Sequence, residues 1–370
     1  MRQLSPHLQK DTRLIVLTQF FPPDYAATGQ LIEDLVRDFS QQGLEVQVFT
    51  GQPGYAYDHH RAPRREFIKG VQVCRTRTSH LWPRRIRGRA VGGLIYCLRA
   101  FLKLLHPSYR KSLLLVTTEP PYLPVVAYLL HCLFNQPYLC LVYDLYPEVA
   151  VALGVVSEWH WLARCWKWFN RRTWQQAEAV IVLSSTMKQR VLAVCPEAES
   201  KVVVIHNWAD PQLIYPRPKS ENRFAQEYGL DRVFTVLYSG NMGRCHDMET
   251  IMAAALELHQ DPIQFVFIGE GAKRVFCLQQ VEALGLRNCL FLPYQPKEAL
   301  TYSLTACDLS LISLCEGVEG LVAPSKFYGS LAAGRPIAAI CEPHSYLRSL
   351  LFEGQCGQAF NNGDGVGLAS

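Results

Sequence analysis

The residues of this chain that could do chemistry stand in short polar segments, each of which follows an apolar segment. The segment SGNMGR, at 239–244, holds Gly240 and Gly243, which let a ligand approach the backbone closely. Asn241 tolerates unusual backbone dihedral angles, and Arg244 can form charge-assisted hydrogen bonds. Glycines and a cation directly before a helix suit a phosphate group. We therefore predict that these four residues bind phosphate.

A second group of candidates surrounds Lys326, in the sequence EGVEGLVAPSKFYG. Pro324 and Ser325 are typical of the start of a helix, which would direct Lys326 and free backbone amides at a ligand. Glu319 precedes them in a glycine-containing loop. Glu270 stands between two glycines after an apolar segment, so its carboxylate either binds ribose hydroxyls or belongs to a solvated turn.

Three further candidates lie in the first half of the chain. Gly29 opens a helical pattern, where free amides and the helix dipole favour an anion, although a glycine there also eases a turn. Asp144 ends the apolar segment YLCLVYD, and Glu148 follows it in DLYPE. Two carboxylates just beyond a strand could bind hydroxyls or move protons. An N-cap aspartate beside a surface glutamate is the alternative.

These segments follow strands in a repeating pattern of strands and helices. Apolar, β-rich runs such as LIVLT at 14–18 alternate with helical patterns, which predicts an α/β fold with doubly wound parallel sheets. The proline-containing stretch 211–222 lacks an apolar period, so we predict a linker between domains 1–210 and 223–370. Ligands of doubly wound sheets bind at the carboxyl ends of the strands. We expect the two domains to face each other across a central cleft.

The composition excludes several classes of protein. A hydrophobic fraction of 49% with 19% charged residues excludes a disordered or collagen-like chain. A net charge of +5 is modest for 370 residues and gives no reason to expect a nucleic-acid partner. The 13 cysteines form no CxxC pair, which predicts buried thiols in a reducing, cytoplasmic compartment and no zinc site. No GxGxxG motif and no acidic pair with metal-ligand spacing is present, so we expect neither a dinucleotide cofactor nor a metal.

Positive charge is concentrated in one stretch of the sequence. Eleven Lys and Arg residues, and no acid, stand within 67–118. Four of these cations form a cluster close to Trp82. They are Arg84, Arg85, Arg87 and Arg89. Apolar residues then recur at helical spacing over 94–105, which predicts a basic amphipathic helix. The stretch either docks the chain on an anionic membrane surface or covers a sheet. The tryptophan-rich segment 159–174 likewise forms either a lipid-interface belt or a packed helix.

Six segments of the chain resemble the retaining glycosyltransferases of family 4. They are, in chain order, PPDYAATGQLIEDL, DLYPE, HNWADP, YSGNMGR, FIGEGAKR and PSKFYGSLAAGRPI. The resemblance covers essentially the whole chain, from Leu14 to Leu368. Within the family, the sequence looks most like the bacterial capsule and exopolysaccharide enzymes, including those that resemble fucosaminyl transferases.

The resemblance implies a GT-B fold of two Rossmann-like domains. A nucleotide-sugar donor of the UDP or GDP type would bind the C-terminal domain, and a lipid-linked or oligosaccharide acceptor would bind the N-terminal domain. It also implies that Gly29 faces the donor phosphates, that Glu319 contacts the transferred sugar and that Asp144 lies near the reacting centre. The implied enzyme transfers a hexose-type sugar with retention, as a peripheral protein on the cytoplasmic face of a membrane, without a cofactor.

The chain departs from the family pattern at several positions. Gly329 replaces the glutamate that usually binds ribose, and Glu319 stands ten residues before Gly329, which exceeds the family's spacing. Asn241 replaces the usual arginine of the phosphate loop, and His246 replaces the usual lysine. The family also continues, past the last residue of this sequence, with a helix that returns to the N-terminal domain.

Two alternative functions stay open: a nucleotide-sugar epimerase of the same architecture, and a catalytically degenerate binding or partner subunit.

Overall fold

The computed structural model describes residues 13–24, 26–53, 62–76 and 86–370. The chain divides into two compact units, each built on one sheet. The first unit ends at His206 and the second begins at Asn207, with Ala152–Val155 also belonging to the second. The α/β class and the two parallel-sheet domains predicted from the sequence are confirmed.

The first unit contains an eight-stranded sheet. Its strands are β1 (Leu14–Leu17), β2 (Val46–Thr50), β3 (Arg65–Ile68), β4 (Val71–Arg75), β5 (Leu113–Thr117), β6 (Tyr138–Val142), β7 (Ala179–Val182) and β8 (Val202–Val204). Across the sheet their order is β3-β4-β2-β1-β5-β6-β7-β8. Neighbouring strands are parallel except for β3 and β4, which are antiparallel. The chain therefore winds away from β1 in one direction and away from β5 in the other, so these two strands form the switch point where ligands of such sheets bind.

Helices cover both faces of this sheet. They are α1 (Ala27–Gln41), α2 (Ile86–Leu104), α3 (Leu123–Phe134), α4 (Glu148–Ala152), α5 (Trp161–Gln176) and α6 (Ser185–Val194). Right-handed crossovers leave α1 on one face and α2, α3, α5 and α6 on the other, because the direction of winding reverses at β1 and β5. The central strands are apolar throughout because both of their faces are covered; all four residues of β1 are buried, for example.

The second unit contains a six-stranded parallel sheet. Its strands are β9 (Phe234–Ser239), β10 (Ile263–Ile268), β11 (Cys289–Leu292), β12 (Leu309–Ser313), β13 (Ile337–Ile340) and β14 (Gly357–Phe360), in the order β11-β10-β9-β12-β13-β14. Its helices are α7 (Arg223–Glu227), α8 (Met248–Glu257), α9 (Arg274–Leu284), α10 (Leu300–Thr305), α11 (Lys326–Ala332), α12 (Tyr346–Gly354) and α13 (Gly365–Ala369). Val236 and Tyr238 of β9 pack in a different apolar cluster from Leu237, as the alternation of side chains along a strand requires. The switch point of this sheet lies between β9 and β12.

The stretch predicted as a linker, 211–222, is attached to the second unit. Lys219 forms an ion pair with Asp308, and the Asn222 side chain donates a hydrogen bond of 2.9 Å to the Thr305 hydroxyl. Among the residues that the structure describes, no helix combines the length and the apolar character needed to span a bilayer.

Candidate active site

Glu119, which the sequence analysis did not single out, lies at the switch point of the first sheet. Only Thr118 separates it from β5, and its backbone carbonyl accepts a hydrogen bond of 2.9 Å from the amide of Gln19, which follows β1. The Thr28 hydroxyl, in the first turn of α1, donates to Glu119 Oε2 at 2.6 Å. The sequence did hold a signal, since Glu119 is a carboxylate directly after the apolar segment SLLLVTT.

Asp144 lies at the end of the neighbouring strand, β6. The Thr118 hydroxyl accepts hydrogen bonds from the amides of Tyr143, at 3.0 Å, and of Asp144, at 3.2 Å, so the residue before Glu119 holds the turn that carries Asp144. The structure thus brings these two carboxylates to the ends of adjacent strands.

Burial keeps both carboxyl groups protonated to a higher pH than in water. Burial, together with the negative charges of Asp144 and Asp24, raises the pKa of Glu119 to about 8, against the hydrogen bond from Thr28, which lowers it. Burial also raises the pKa of Asp144 to about 6. At neutral pH the two sites therefore differ in protonation state, with Glu119 mostly neutral and Asp144 mostly ionised. Such a pair can donate to one hydroxyl group and accept from another.

Gly29 and Glu148 lie in the same unit. A Cβ atom on Gly29 would come within 3.2 Å of the backbone of Phe20 and Phe21, so this glycine lets α1 approach the loop after β1. The N-cap residue of α1 is Ala26, which forms no side-chain capping hydrogen bond. Glu148 is the first residue of α4, and burial raises its pKa.

In the second unit, two glycine-containing loops pack against each other backbone to backbone. Gly269 has φ +129°, and a Cβ atom there would lie 2.3 Å from the carbonyl oxygen of Gly240. Gly271 has φ +150°, and its Cβ would lie 2.4 Å from the carbonyl oxygen of Met242. The Met242 amide donates to the carbonyl of Glu270 at 2.8 Å. Because only glycine fits both the dihedral angles and the space, these residues shape the loops after β9 and β10.

Lys326, the first residue of α11, lies beside the loop after β9. Its Nζ donates to the hydroxyl oxygen of Tyr238 at 2.5 Å and is 3.9 Å from the centroid of that ring. The Tyr238 hydroxyl in turn donates to the carbonyl of Asn241 at 3.0 Å. A Cβ atom on Gly240 would lie 3.4 Å from Lys326 Cε. The structure therefore brings Lys326, Gly240 and Asn241 together, and burial lowers the pKa of Lys326 to about 7.

His246 completes this cluster, although the sequence identified it only as a replacement. Its Nδ1 is 2.7 Å from the carbonyl oxygen of Ser313 at the end of β12, so Nδ1 must carry the hydrogen. Burial, assisted by the charge of Lys326, lowers the pKa of His246 to about 3, which makes the ring neutral at physiological pH. A neutral ring with Nδ1 as donor leaves Nε2 as an acceptor.

Other predicted residues of this unit lie in different environments. Arg244 and Glu270 are exposed, and Glu270 pairs with Arg274 at 3.6 Å on the first turn of α9. Ser325 occupies the N-cap position of α11 without a side-chain capping hydrogen bond. Glu319 is only 1% exposed, and its Oε1 accepts from the amide of Tyr346 at 3.3 Å, a contact inside the unit that the sequence did not predict.

The candidate membrane surface is described only in part. Arg84 and Arg85 lie outside the described residues, and so do the side chains of Arg87 and Arg89, whose backbone belongs to α2. The tryptophan-rich segment is partly packed and partly exposed, and whether its exposed side meets lipid stays a prediction. Its exposed members include Trp159, Trp161 and Trp168, whereas Trp174 is buried.

Comparison with known proteins identifies relatives of this chain. Residues 27–208 match the family described as a glycosyl transferase 4-like domain. The protein named "Probable glycosyltransferase WbjE" from Pseudomonas aeruginosa is 30% identical over 298 residues, which cover 78% of this chain and 73% of that protein.

Solved structures show the same fold at lower identity. HepE from Anabaena, in complex with UDP and glucose, matches with a TM-score of 0.70 and 14% identity over 97% of this chain and 88% of that chain. Sucrose-phosphate synthase from Thermosynechococcus elongatus matches with a TM-score of 0.73 and 17% identity over 96% of this chain and 88% of that chain. The match to WbjE extends over most of both proteins, and both sheets have the topology predicted from the resemblance. The chain therefore belongs to the family 4 glycosyltransferases and has their GT-B fold.

Proposed function

We propose that this chain transfers a sugar from a nucleotide-sugar donor, with UDP or GDP as the leaving group, to a lipid-linked or growing oligosaccharide acceptor with retention of configuration. The pathway that we assign to it is the synthesis of a cell-surface polysaccharide. One observation carries the proposal: a partly buried lysine, Lys326, stands beside a glycine loop at the switch point of the second sheet. HepE, which has the same fold, has been solved with UDP-glucose, and this supports a nucleotide-sugar donor.

The donor diphosphate would bind to the second unit. Lys326 supplies a positive charge, Gly240 and Gly243 allow close approach, and the exposed side chain of Arg244 is able to reach a ligand. Because Nδ1 of His246 donates to Ser313, its Nε2 can accept a hydrogen bond, which suits a sugar hydroxyl better than a phosphate. Positive charge near the leaving group stabilises the diphosphate as it forms, so a cofactor or metal is not part of the proposal.

The acceptor would bind to the first unit. Glu119 and Asp144 can bind its hydroxyl groups, because one carboxyl group is mostly neutral and the other mostly ionised at pH 7. Glu148 is a further candidate on the same side, at the start of α4. In the reaction, the acceptor hydroxyl attacks the anomeric carbon on the face that the diphosphate leaves. The bond from that carbon to the phosphate oxygen breaks, and the hydroxyl proton passes to the departing phosphate.

The experiment is a screen of UDP-, GDP- and other nucleotide sugars for nucleotide release, with and without a membrane lipid extract, followed by NMR of the product. We expect release that depends on the acceptor, and a product with the anomeric configuration of the donor. Conversion of the donor without any acceptor would instead indicate an epimerase. Binding of nucleotide without release would indicate a degenerate subunit, and an inverted product would overturn retention.

A further inference from the structure

Two cysteines of the second unit lie next to each other at the switch point of its sheet. Cys245 belongs to the loop after β9, and Cys315 is the second residue after β12. The Cys315 amide donates a hydrogen bond of 2.9 Å to the Cys245 carbonyl. A backbone hydrogen bond of this length places the two Cα atoms about 5 to 6 Å apart, which is inside the range that disulfides span. The backbone therefore needs no large movement to join the two side chains.

The two cysteine side chains share one environment. Both are thiols, both are partly exposed, and both pack against the same apolar cluster. The Cys315 Sγ atom lies 3.5 Å from the carbonyl oxygen of Arg244, the residue before Cys245. The Cys315 thiol therefore contacts the loop that carries Cys245, and a small oxidant in solution can reach both residues.

The loop that carries Cys245 also carries residues that we assign to the donor. Arg244 and His246 flank Cys245 in the sequence. The His246 Nδ1 atom donates to the carbonyl oxygen of Ser313, two residues before Cys315, at 2.7 Å. The loop is thus already tied to the end of β12 by two hydrogen bonds. A covalent bond between the cysteines would fix the loop there and restrict the movement of Arg244 and His246.

We propose that Cys245 and Cys315 form a reversible disulfide that weakens donor binding when the chain is oxidised. The effect on the donor rests on the proposed function, which it deepens by adding regulation of the same site, whereas the disulfide itself does not depend on that function. The cross-link would hold Arg244 and His246 in a position that the disulfide sets and the ligand cannot adjust. Disulfides in a reducing compartment are usually transient and serve as redox sensors, which suits such a switch.

The bond forms by exchange with a low-molecular-weight disulfide, such as glutathione disulfide. The Cys245 thiolate attacks one sulfur of glutathione disulfide, whose S–S bond breaks, and one glutathione leaves as a thiolate. The Cys315 thiolate then attacks Cys245 Sγ in the mixed disulfide, and the second glutathione leaves. Two electrons pass from the cysteines to glutathione, and the two protons of the cysteine thiols pass to the departing thiolates. We assign the first attack to Cys245 because burial raises the pKa of the Cys315 thiol.

Mapping of disulfide-linked peptides tests the cross-link. The full chain is incubated with glutathione disulfide, its remaining thiols are blocked in denaturant, and it is digested with trypsin without reduction. Cys245 falls in the peptide 245–273, and Cys315 falls in the peptide 298–326, which also contains Cys307. We expect these two peptides to be linked, and Cys315→Ser to abolish the link. Cys307→Ser is the matched control, since it removes the other, buried thiol of the same peptide and should keep the link.

Calorimetry with UDP and GDP tests the regulation. We expect the oxidised parent to bind its nucleotide roughly tenfold more weakly than the reduced parent, and to recover its affinity in dithiothreitol. Cys245→Ser and Cys315→Ser should bind it equally under both conditions. Absence of the linked peptides, or a link that persists in Cys315→Ser, would overturn the disulfide. A link that leaves the nucleotide affinity unchanged would overturn the regulation. A reduced parent that binds neither nucleotide would overturn the proposed function, while the peptide map would still decide whether the disulfide forms.

Discussion

Lys326 is expected to change its protonation state when a nucleotide diphosphate binds. Its pKa is about 7 in the free protein because it is buried, and a bound diphosphate favours the charged form. Binding above pH 7 should therefore take up a proton, and the affinity for UDP should fall as the pH rises, by at most about tenfold per unit. Calorimetry in buffers with different heats of ionisation measures this uptake. In Lys326→Met the uptake should vanish, and turnover should fall by about 100-fold; a proton uptake equal to that of the parent would contradict the assignment.

Glu119 should make the folded protein less stable at high pH. Its pKa is about 8 in the folded state against 4.5 for an ordinary glutamate, so the folded state binds more protons between these values. Stability from this group is therefore full below pH 4.5, declines as the pH rises to about 8, and stays reduced above that. The neutral variant Glu119→Gln removes the dependence, so its free energy of unfolding should decline less than that of the parent between pH 5 and 9.

Urea unfolding of both proteins at pH 5, 7 and 9 measures the Glu119 effect. The contributions of Asp144 and Lys326 largely cancel in the comparison because both proteins contain them. The variant Thr28→Val adds a second check, since it removes the hydrogen bond that lowers the pKa of Glu119 and should steepen the pH dependence. Parallel curves for the parent and Glu119→Gln would show that Glu119 is not buried in solution.

In the second unit, the glycine loops after β9 and β10 pack so closely that substituting one glycine should destabilise the protein, whereas substituting a glycine within a helix should not. Gly271→Ala puts a Cβ atom 2.4 Å from the carbonyl of Met242 at φ +150°, so it should destabilise the protein by about 3 kcal/mol or more. Gly329→Ala is the matched control. It lies within α11, its nearest neighbour would be Leu304 at 3.5 Å, and alanine should be neutral or stabilise by up to about 1 kcal/mol. Thermal unfolding of both variants checks this, and equal losses of stability would disprove the argument.

The strands and helices show which parts of the fold the sequence alone predicts. The apolar runs of the central strands predicted the α/β class correctly, because strands covered on both faces need apolar residues at every position. The edge strand β3 was not predicted, since its exposed residues carry no such pattern. In α2, helical periodicity predicted one apolar stripe over 94–105, but Cys97 is buried while Leu98 is exposed. Periodicity reveals that a helix has apolar sides, and only packing decides which side is covered.

At the scale of the whole molecule, the order of the strands decides which residues meet. Gly240, Asn241 and Lys326 were predicted from their local sequence, because glycine loops and helix starts have local signatures. Glu119 was not predicted, since its position depends on β5 lying beside β1, a pairing of residues about 100 positions apart that local patterns do not encode. His246 needed the same long-range information, because its hydrogen-bond partner, the carbonyl of Ser313, ends a different strand.

Charge is distributed over the molecule in a way that predicts binding to an anionic membrane. The three neighbouring helices α2, α3 and α5 contain no acidic residue, and their exposed side chains include leucines, tryptophans and arginines. Near anionic lipid each such cation contributes about 1 kcal/mol. The chain should therefore cosediment with vesicles that contain phosphatidylglycerol and much less with purely zwitterionic vesicles.

Salt and substitution separate this electrostatic attraction from apolar insertion. The Debye length falls from about 10 Å at 0.1 M salt to about 3 Å at 1 M, so vesicle binding should drop sharply in high salt. Replacing Arg84, Arg85, Arg87 and Arg89 by Gln should cause most of that drop at low salt while leaving the use of a soluble acceptor analogue unchanged. The control is the double variant Arg232→Gln, Arg287→Gln, which removes two exposed charges from the second unit. It should bind vesicles nearly as the parent does. If the fourfold variant still cosediments like the parent, these arginines form only a solvated surface, because a cluster that attracts lipid cannot lose four charges without losing affinity.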